Sequence, residues 1–94
     1  MIRVLIERNI MDGLDDIYED AVRSTLQQAI SAPGFLAGES MKDSNNSHRR
    51  LTLSKWRSIQ DWSNWYHSQQ RTEIMYKVEP MLSEPEKITI LEHA

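Results

Sequence analysis

The chain of 94 residues contains no cysteine, which excludes disulfide bonds, thiolate catalysis and any metal or iron–sulfur site that depends on cysteine ligands. Glycine and proline are also scarce, with three of each, and there is no glycine-rich loop of the kind that binds nucleotides. The three histidines include no pair at the spacing of metal ligands. We therefore predict a protein without a bound metal or flavin.

The sequence also lacks an excess of positive charge and a long apolar run. Its formal net charge is −3, so it offers no basic surface to a nucleic acid, and we predict no nucleic-acid partner. The longest apolar run near the N terminus is Val4-Leu5-Ile6, which is far shorter than a signal peptide core or a membrane span. These absences predict a cytoplasmic protein that has no membrane partner.

The residues that are present suffice for one folded unit. Apolar residues make up 39% of the chain, and its length predicts a single domain over residues 1–94 with a core of modest size. Dimerisation is a natural way for such a chain to bury more apolar surface.

The most informative stretch covers residues 51–66. Apolar and polar side chains alternate along Leu51–Trp56, as in a strand with one buried face. The period then changes, because Ser58 is a good N-cap and Asp61 follows three residues later, as in a capping box. Aromatic residues continue at helical spacing: Trp62, Trp65 and Tyr66.

The same patterns predict the order β-α-β-β-α-β along the whole chain. Alternation predicts strands at Met1–Arg8, Phe35–Lys42, Arg49–Trp56 and Glu86–Glu92. Helical periodicity predicts helices at Leu14–Ser31 and from Ser58 to about Leu82, the second with a break near His67-Ser68. On the second strand, one face is expected to carry Phe35, Ala37, Glu39 and Met41.

This order is typical of the ferredoxin-like α+β fold, a four-stranded antiparallel sheet with helices on one face. Leu5, Leu53 and Leu91 are predicted on the strand faces that the helices leave open. A second subunit that packs sheet to sheet would cover them, so we predict a homodimer through the sheet face.

Four segments of the chain point to a known family. They are Pro33-Gly34-Phe35-Leu36, Ser54-Lys55-Trp56-Arg57-Ser58, Asp61-Trp62 with Trp65, and Pro80-Met81-Leu82-Ser83-Glu84-Pro85. In their order and spacing the chain resembles the antibiotic biosynthesis monooxygenase domain family over nearly its whole length. The resemblance implies a dimeric α+β barrel, in which two ferredoxin-like subunits pair their sheets and each holds a ligand pocket between sheet and helices.

The family resemblance implies two kinds of chemistry. One branch consists of cofactor-independent oxygenases that act on polycyclic phenols or quinols, where the electrons of the substrate activate dioxygen. A second branch degrades haem with an asparagine on the first strand, a tryptophan on the helix after the third strand, and a later histidine. Trp65 matches that tryptophan, but Arg8 stands at the asparagine position, with Asn9 beside it, and Met75 replaces the histidine. Haem is therefore a possible ligand that the sequence does not favour.

The candidate catalytic residues are Asn9, Trp65, Tyr66 and His67. Trp65 would stack on a planar substrate, whereas the phenol of Tyr66 and the imidazole of His67 would orient or deprotonate a substrate hydroxyl. Asn9, at the end of the first strand, would donate a hydrogen bond to a substrate oxygen. The structural alternatives are a C-capping or exposed role for His67 and a turn role for Asn9.

The candidate substrate-binding residues are Tyr18, Trp62 and Met75. Tyr18 lies on the apolar stripe of the first helix and could present its hydroxyl to the pocket, or could pack in the core with one hydrogen bond. Trp62 and Trp56 have a strong alternative as core residues, because aromatic residues at this spacing usually pack inside the fold.

Taken together, these features predict a cofactor-independent monooxygenase that acts on a planar phenolic or quinol-type small molecule. The alternatives are a non-catalytic module that binds or senses a small aromatic molecule, and haem binding or degradation. A pocket of ligand size favours the enzyme, and a solidly packed Trp65 and Tyr66 favours the non-catalytic module.

Overall fold

The computed structural model describes residues 1–94, which form four strands and three α-helices. The strands are β1 (Ile2–Asn9), β2 (Phe35–Asp43), β3 (Asn46–Trp56) and β4 (Lys87–Glu92). The helices are α1 (Asp15–Ala29), α2 (Ile59–Tyr66) and α3 (Gln69–Val78), and a short 3-10 helix, Glu79–Met81, follows α3. The predicted order β-α-β-β-α-β is confirmed, with the last helical region divided in two.

The four strands form one sheet in the order β2-β3-β1-β4, and every neighbouring pair is antiparallel. The first strand, β1, therefore lies inside the sheet, between β3 and the last strand of the chain. This is the ferredoxin-like topology, so the predicted α+β fold class is confirmed.

The side chains of β1 alternate between a buried and a more exposed face. Ile2, Val4 and Ile6 are buried, and Arg8 continues the same face at the end of the strand. Opposite Ile2 on β3 lies Trp56, which is also buried. The helices cover this face, because its residues share one apolar cluster with residues of α1 and α2: Ile2, Val4, Ile6, Ala29, Trp56, Trp62 and Trp65.

The break between α2 and α3 is built by Ser68. Its hydroxyl accepts a hydrogen bond from Arg71 N (3.2 Å) and donates one to Trp65 O (2.6 Å), so one side chain begins α3 and satisfies the end of α2. The predicted break near His67-Ser68 is thus at a helix cap. The prediction that the helix continues to about Leu82 is wrong, because α3 ends at Val78 and Pro80 lies in the 3-10 helix.

The predicted face of β2 is also wrong at its first residue. A β-bulge interrupts the pairing between Phe35 and Ala37, so that Phe35 pairs with Trp56 while Ala37 pairs with Lys55. Phe35 therefore packs against the Trp56 ring on the covered face, at a centroid distance of 5.3 Å. An extra residue in one strand reverses the alternation on either side of it, which simple periodicity does not reveal.

No α-helix covers the other side of the sheet, which we call the open face. Leu5 and Leu53 lie directly opposite each other on β1 and β3, and Leu51 pairs with Met41 of β2. Met41 is 39% exposed, and Leu91 at the other edge is 44% exposed. None of the helices combines the length and apolar character that a membrane span requires.

Candidate functional site

An internal space between the sheet and the helices, which we call the inner cavity, has a volume of about 40 Å³. Apolar side chains supply most of its lining, including those of all three tryptophans. Arg8 of β1 and Arg71 of α3 place two guanidinium groups at the same cavity. The space thus joins an aromatic wall to two buried positive charges.

The aromatic wall is a cluster centred on Trp56. The Trp65 ring stacks on it at a centroid distance of 6.4 Å and an angle of 27°, and the Trp62 ring meets it edge-on at 5.7 Å. The Trp56 indole N–H donates to Ser54 Oγ at 2.9 Å, which satisfies the buried donor. All three tryptophans are at most 6% exposed, and all three pack in the core while also lining the cavity.

The two guanidinium groups share one carboxylate, and we call Arg8, Arg71 and Glu86 the arginine cluster. Glu86 Oε2 accepts from Arg8 Nε at 2.9 Å, and Oε1 accepts from Arg71 Nη2 at 2.7 Å. The side chains of Arg8, Arg71 and Glu86 are 5%, 7% and 14% exposed, so these are charge-assisted bonds in a site largely shielded from water.

The pKa values of the cluster follow from these contacts. Burial alone would raise the pKa of the Glu86 carboxyl, but Arg8 and Arg71 together bring that pKa below its usual value. Burial alone would lower the pKa of the Arg8 guanidinium, and Tyr18 and Glu86 outweigh it and raise that pKa. Glu86 and Arg8 are therefore both charged at neutral pH.

Arg8 also bonds to two of the residues predicted to bind substrate. Its Nη1 donates to the Tyr18 hydroxyl at 3.3 Å, and its Nη2 contacts Met75 Sδ at 3.6 Å. Tyr18 is 1% exposed and is not part of the cavity lining. Of the two roles expected for Tyr18, the structure has the packed residue with a single hydrogen bond.

Arg71 is held from another side by aromatic rings. Its Cζ lies 4.7 Å from the centroid of the Tyr66 ring and 5.8 Å from that of the Trp62 ring. A guanidinium in this position is attracted by the negative face of the ring. Tyr66 is 39% exposed and is not part of the lining of the inner cavity, so its ring covers Arg71 from the solvent side.

A second depression, the outer groove, lies on the far side of Arg71 and Met75. It is a solvent-open groove of about 820 Å³ between α3 and the chain from Leu82 to Glu86, and Tyr66 and His67 lie at one end. Arg71 and Met75 line both the inner cavity and the outer groove. These two side chains are the partition between the two spaces.

The predicted catalytic residues are not brought together. Trp65 lines the inner cavity, whereas Tyr66 and His67 line the outer groove. His67 is exposed, caps the end of α2, and has its Nδ1 2.9 Å from Ser63 O. Asn9 borders neither space, because alternation along β1 turns it to the open face, where its amide donates to Glu84 Oε1 at 2.6 Å.

Several polar residues of the site were not among the predicted site residues, including Arg8, Arg71, Glu86 and Thr52. A signal for Arg8 existed, since extending the alternation of β1 by one step puts it on the buried face. Thr52 follows in the same way from the buried face of β3, and its hydroxyl makes no side-chain hydrogen bond within the chain although it lines the cavity. Glu86 is 78 residues from Arg8, and no local pattern predicts that pairing.

The three residues that the family resemblance places at the functional positions of haem-degrading proteins lie close together. Arg8, Trp65 and Met75 all line the inner cavity. Arg8 and Met75 stand where that chemistry needs an asparagine and a histidine, and none of the residues lining the cavity is a histidine. No group of three or more histidine, aspartate or glutamate side chains is arranged to hold a metal ion.

Comparison with known proteins identifies similar sequences and folds. The sequence model described as antibiotic biosynthesis monooxygenase matches residues 1–77. Among solved structures, a conserved protein from Methanosarcina mazei Go1 superposes with a TM-score of 0.93 at 15% identity, covering 99% of this chain and 92% of that one. No curated protein matches the chain.

Two other solved structures carry the name of the matching family as a proposed assignment. A proposed antibiotic biosynthesis monooxygenase from Nitrosomonas europaea has a TM-score of 0.91 at 14% identity, covering 98% of this chain and 88% of that one. Another from Deinococcus radiodurans has a TM-score of 0.90 at 13% identity, covering 100% and 93%. At such identities the likeness shows a common fold.

Proposed function

Since this chain belongs to the antibiotic biosynthesis monooxygenase family, we propose that it is a cofactor-independent monooxygenase that oxidises a planar phenolic or quinol-type small molecule. The observation that carries the proposal is the inner cavity, where an aromatic wall and two buried guanidinium groups border the same space. Aromatic faces bind planar rings, and fixed positive charge stabilises a phenolate.

The proposed reaction needs no electron donor besides the substrate. A phenol with hydrogen at its para carbon and one dioxygen molecule give a para-quinone and one water molecule. The para C–H and the phenolic O–H bonds break, one oxygen atom forms the new C=O group, and the other leaves as water with both hydrogens. The substrate supplies all four electrons that reduce dioxygen, so oxidation and reduction balance.

The chain's residues would act by selecting the reactive form of the substrate. A phenolate gives up electrons more readily than a phenol, and the charges of Arg8 and Arg71 lower the pKa of a hydroxyl bound beside them. Thr52 offers a hydroxyl without a side-chain partner, which is free to bond to a substrate oxygen. The tryptophans keep water from the face of the ring that they cover during the reaction.

A polycyclic substrate needs more room than the inner cavity has. Sites for organic ligands usually measure roughly 300–1,000 Å³, compared with about 40 Å³ for the inner cavity. Met75 stands between this cavity and the outer groove, and methionine side chains change conformation easily because they are unbranched. Displacement of Met75 would join the two spaces into a site of sufficient size.

Oxygen consumption tests the proposal directly. The purified protein is incubated with phenols and hydroquinones that have a free ring position ortho or para to a hydroxyl group, and dioxygen uptake is followed with an electrode. We expect uptake above the buffer rate for at least one compound, and incorporation of one ¹⁸O atom from labelled dioxygen into the product. Uptake at the buffer rate across the whole panel would contradict the proposal.

A matched pair of variants locates the reaction. Thr52→Val removes the free hydroxyl at the inner cavity, and Thr89→Val makes the same change on the open face beside Leu5. Loss of a single hydrogen bond of about 1 kcal/mol should slow turnover about fivefold in Thr52→Val. Thr89→Val should retain the original rate, and an equal effect of both changes would mean that the cavity is not the site.

The small inner cavity favours a second candidate, a non-catalytic module that binds or senses a small aromatic molecule. Trp65 is packed against Trp56, and the space that remains is well below the usual size of an active site. This candidate predicts saturable quenching of tryptophan fluorescence by a compound of the panel without dioxygen uptake. Uptake that depends on Thr52 would exclude it.

A further inference from the structure

Arg71 has hydrogen-bonding capacity that the protein does not use. Its side chain makes one hydrogen bond, from Nη2 to Glu86 Oε1, although a guanidinium carries five N–H donors. No side-chain nitrogen or oxygen cut off from solvent lacks a partner, so the partnerless Nε and Nη1 of Arg71 remain accessible to a water-sized group. Arg71 lines both the inner cavity and the outer groove. We propose that Arg71 is a carboxylate-binding residue and that the ligand of this site is an ionised aromatic carboxylic acid.

The charge balance around Arg71 supports an anionic ligand. The arginine cluster contains two guanidinium groups and one carboxylate, all largely buried, so one positive charge lacks a counter-charge. A buried charge without a partner is unfavourable, and an added carboxylate would neutralise it through charge-assisted hydrogen bonds. The outer groove also contains Glu79 and Glu84, but both are exposed to solvent, where screening weakens their repulsion of an anion at Arg71.

Arg8 cannot take this role as readily. Its three nitrogens already contact Glu86, Tyr18 and Met75. The weakest of these contacts is the 3.6 Å approach of Nη2 to Met75 Sδ, because a thioether is a poor acceptor. Movement of Met75 toward the groove would release this donor as well, so that an incoming carboxylate could bond to both arginines.

The sizes of the two spaces fit an acid that is bound in two parts. The inner cavity of about 40 Å³ has room for about three water molecules, and a carboxylate has three non-hydrogen atoms. While Met75 keeps its present position, the aromatic ring of the ligand would lie in the outer groove, where Met75 and Tyr66 offer apolar surface. Displacement of Met75 would then let the ring reach the tryptophans, as the proposed reaction requires. An acid can therefore be recognised without opening the aromatic core.

A comparison of an acid with its ester tests this inference. Binding of 4-hydroxybenzoate and of methyl 4-hydroxybenzoate is measured by titration calorimetry, because the two differ chiefly in the negative charge. We expect the acid to bind at least about tenfold more tightly than the ester. In Arg71→Gln the two affinities should agree within about twofold, whereas Arg71→Lys, which keeps the charge, should retain part of the preference.

Arg23→Gln is the matched control, because Arg23 is an exposed arginine on α1 whose only ion pair is to Asp20. It should leave the preference for the acid unchanged. Circular dichroism checks that each variant is folded. If Arg71→Gln does not fold, the affinities of Arg71→Lys for the acid and the ester still test the inference. The inference would be overturned if the wild type bound acid and ester equally or bound neither. It would also be overturned if folded Arg71→Gln kept the full preference for the acid.

The inference rests on the proposed function only in assigning the ligand to the same site. Preference for the acid without dioxygen uptake by any compound would refute the oxygenase and leave the carboxylate site standing. Dioxygen uptake with equal binding of acid and ester would refute the carboxylate site and leave the oxygenase standing.

Discussion

Glu86 is the only acidic partner of two buried guanidinium groups, so its charge state affects more of the site than that of any other carboxylate. We predict that Glu86→Gln lowers the free energy of unfolding near pH 7 by about 2 kcal/mol, because it weakens two charge-assisted hydrogen bonds. The exposed Glu73, which bonds within α3 to Gln69, provides the control. Glu73→Gln should change the stability by less than about 0.5 kcal/mol.

The pH dependence of this effect follows from the lowered pKa of Glu86. A carboxyl whose pKa is lower in the folded protein stabilises the fold above its unfolded-state pKa, and that contribution is lost as the pH falls through its folded-state pKa. The stability difference between wild type and Glu86→Gln should therefore shrink below the ordinary pKa range of glutamate. Urea unfolding from neutral to acidic pH measures it, and a constant difference would contradict the assignment.

Neighbouring residues on β1 illustrate what a local pattern can and cannot predict. Alternation places Arg8 on the covered face and Asn9 on the open face, so the sequence contained enough information to prefer Arg8 as the cavity residue. It did not contain the identity of the acidic partner, because Glu86 arrives from the other end of the chain. Long-range ion pairs depend on the tertiary fold and have no local sequence signature.

At the level of elements, the turn between α1 and β2 fixes the position of α2. Gly34 has a φ angle of +83°, its carbonyl accepts from Arg57 N at 2.8 Å, and a Cβ at this position would overlap the Asp61 side chain in the first turn of α2. The backbone conformation and the close approach both require glycine. Gly13 has a similar φ of +79°, but a Cβ there would meet no other atom within 4 Å.

Alanine substitutions at these two glycines separate the cost of backbone strain from the cost of overlap between the added methyl group and Asp61. Gly13→Ala should lower the free energy of unfolding by about 1–2 kcal/mol through backbone strain alone. Gly34→Ala should lower it by a further 1–3 kcal/mol or so, because the Asp61 side chain must move. Urea unfolding of both variants checks the order, and equal losses would mean that α2 adapts to the added methyl group.

Most of the fold was predictable from elements with strong periodicity. The strand and helix order, the N-cap at Ser58 and the break before α3 all follow from local patterns, and Ser58 Oγ indeed accepts from Asp61 N at 3.1 Å. The bulge near Leu36 was not predictable, because one unpaired residue leaves the composition of a strand unchanged. The division of the site into cavity and groove depends on side-chain packing of Arg71 and Met75, which periodicity does not encode.

At the level of the whole molecule, a sheet covered on one side leaves apolar residues exposed on the other. Leu5, Leu51 and Leu53 lie near the centre of the open face, with Met41 and Leu91 toward its edges. Burying this face against a second copy would give both subunits a second apolar layer, as in aligned packing of two sheets. We predict a homodimer in solution whose subunits contact each other through this face.

Light scattering coupled to size-exclusion chromatography tests the dimer. Wild type should elute with twice the monomer mass, and Leu53→Lys should elute as a monomer, because a charged amine at the centre of the paired sheets would lose its hydration. Ile17→Lys, an equivalent change of an exposed apolar residue on α1, should remain a dimer. A monomeric wild type, or a dimer that persists in Leu53→Lys, would show that the open face does not mediate self-association. The melting temperature gives a second test, because that of a dimer rises with protein concentration and that of a monomer does not.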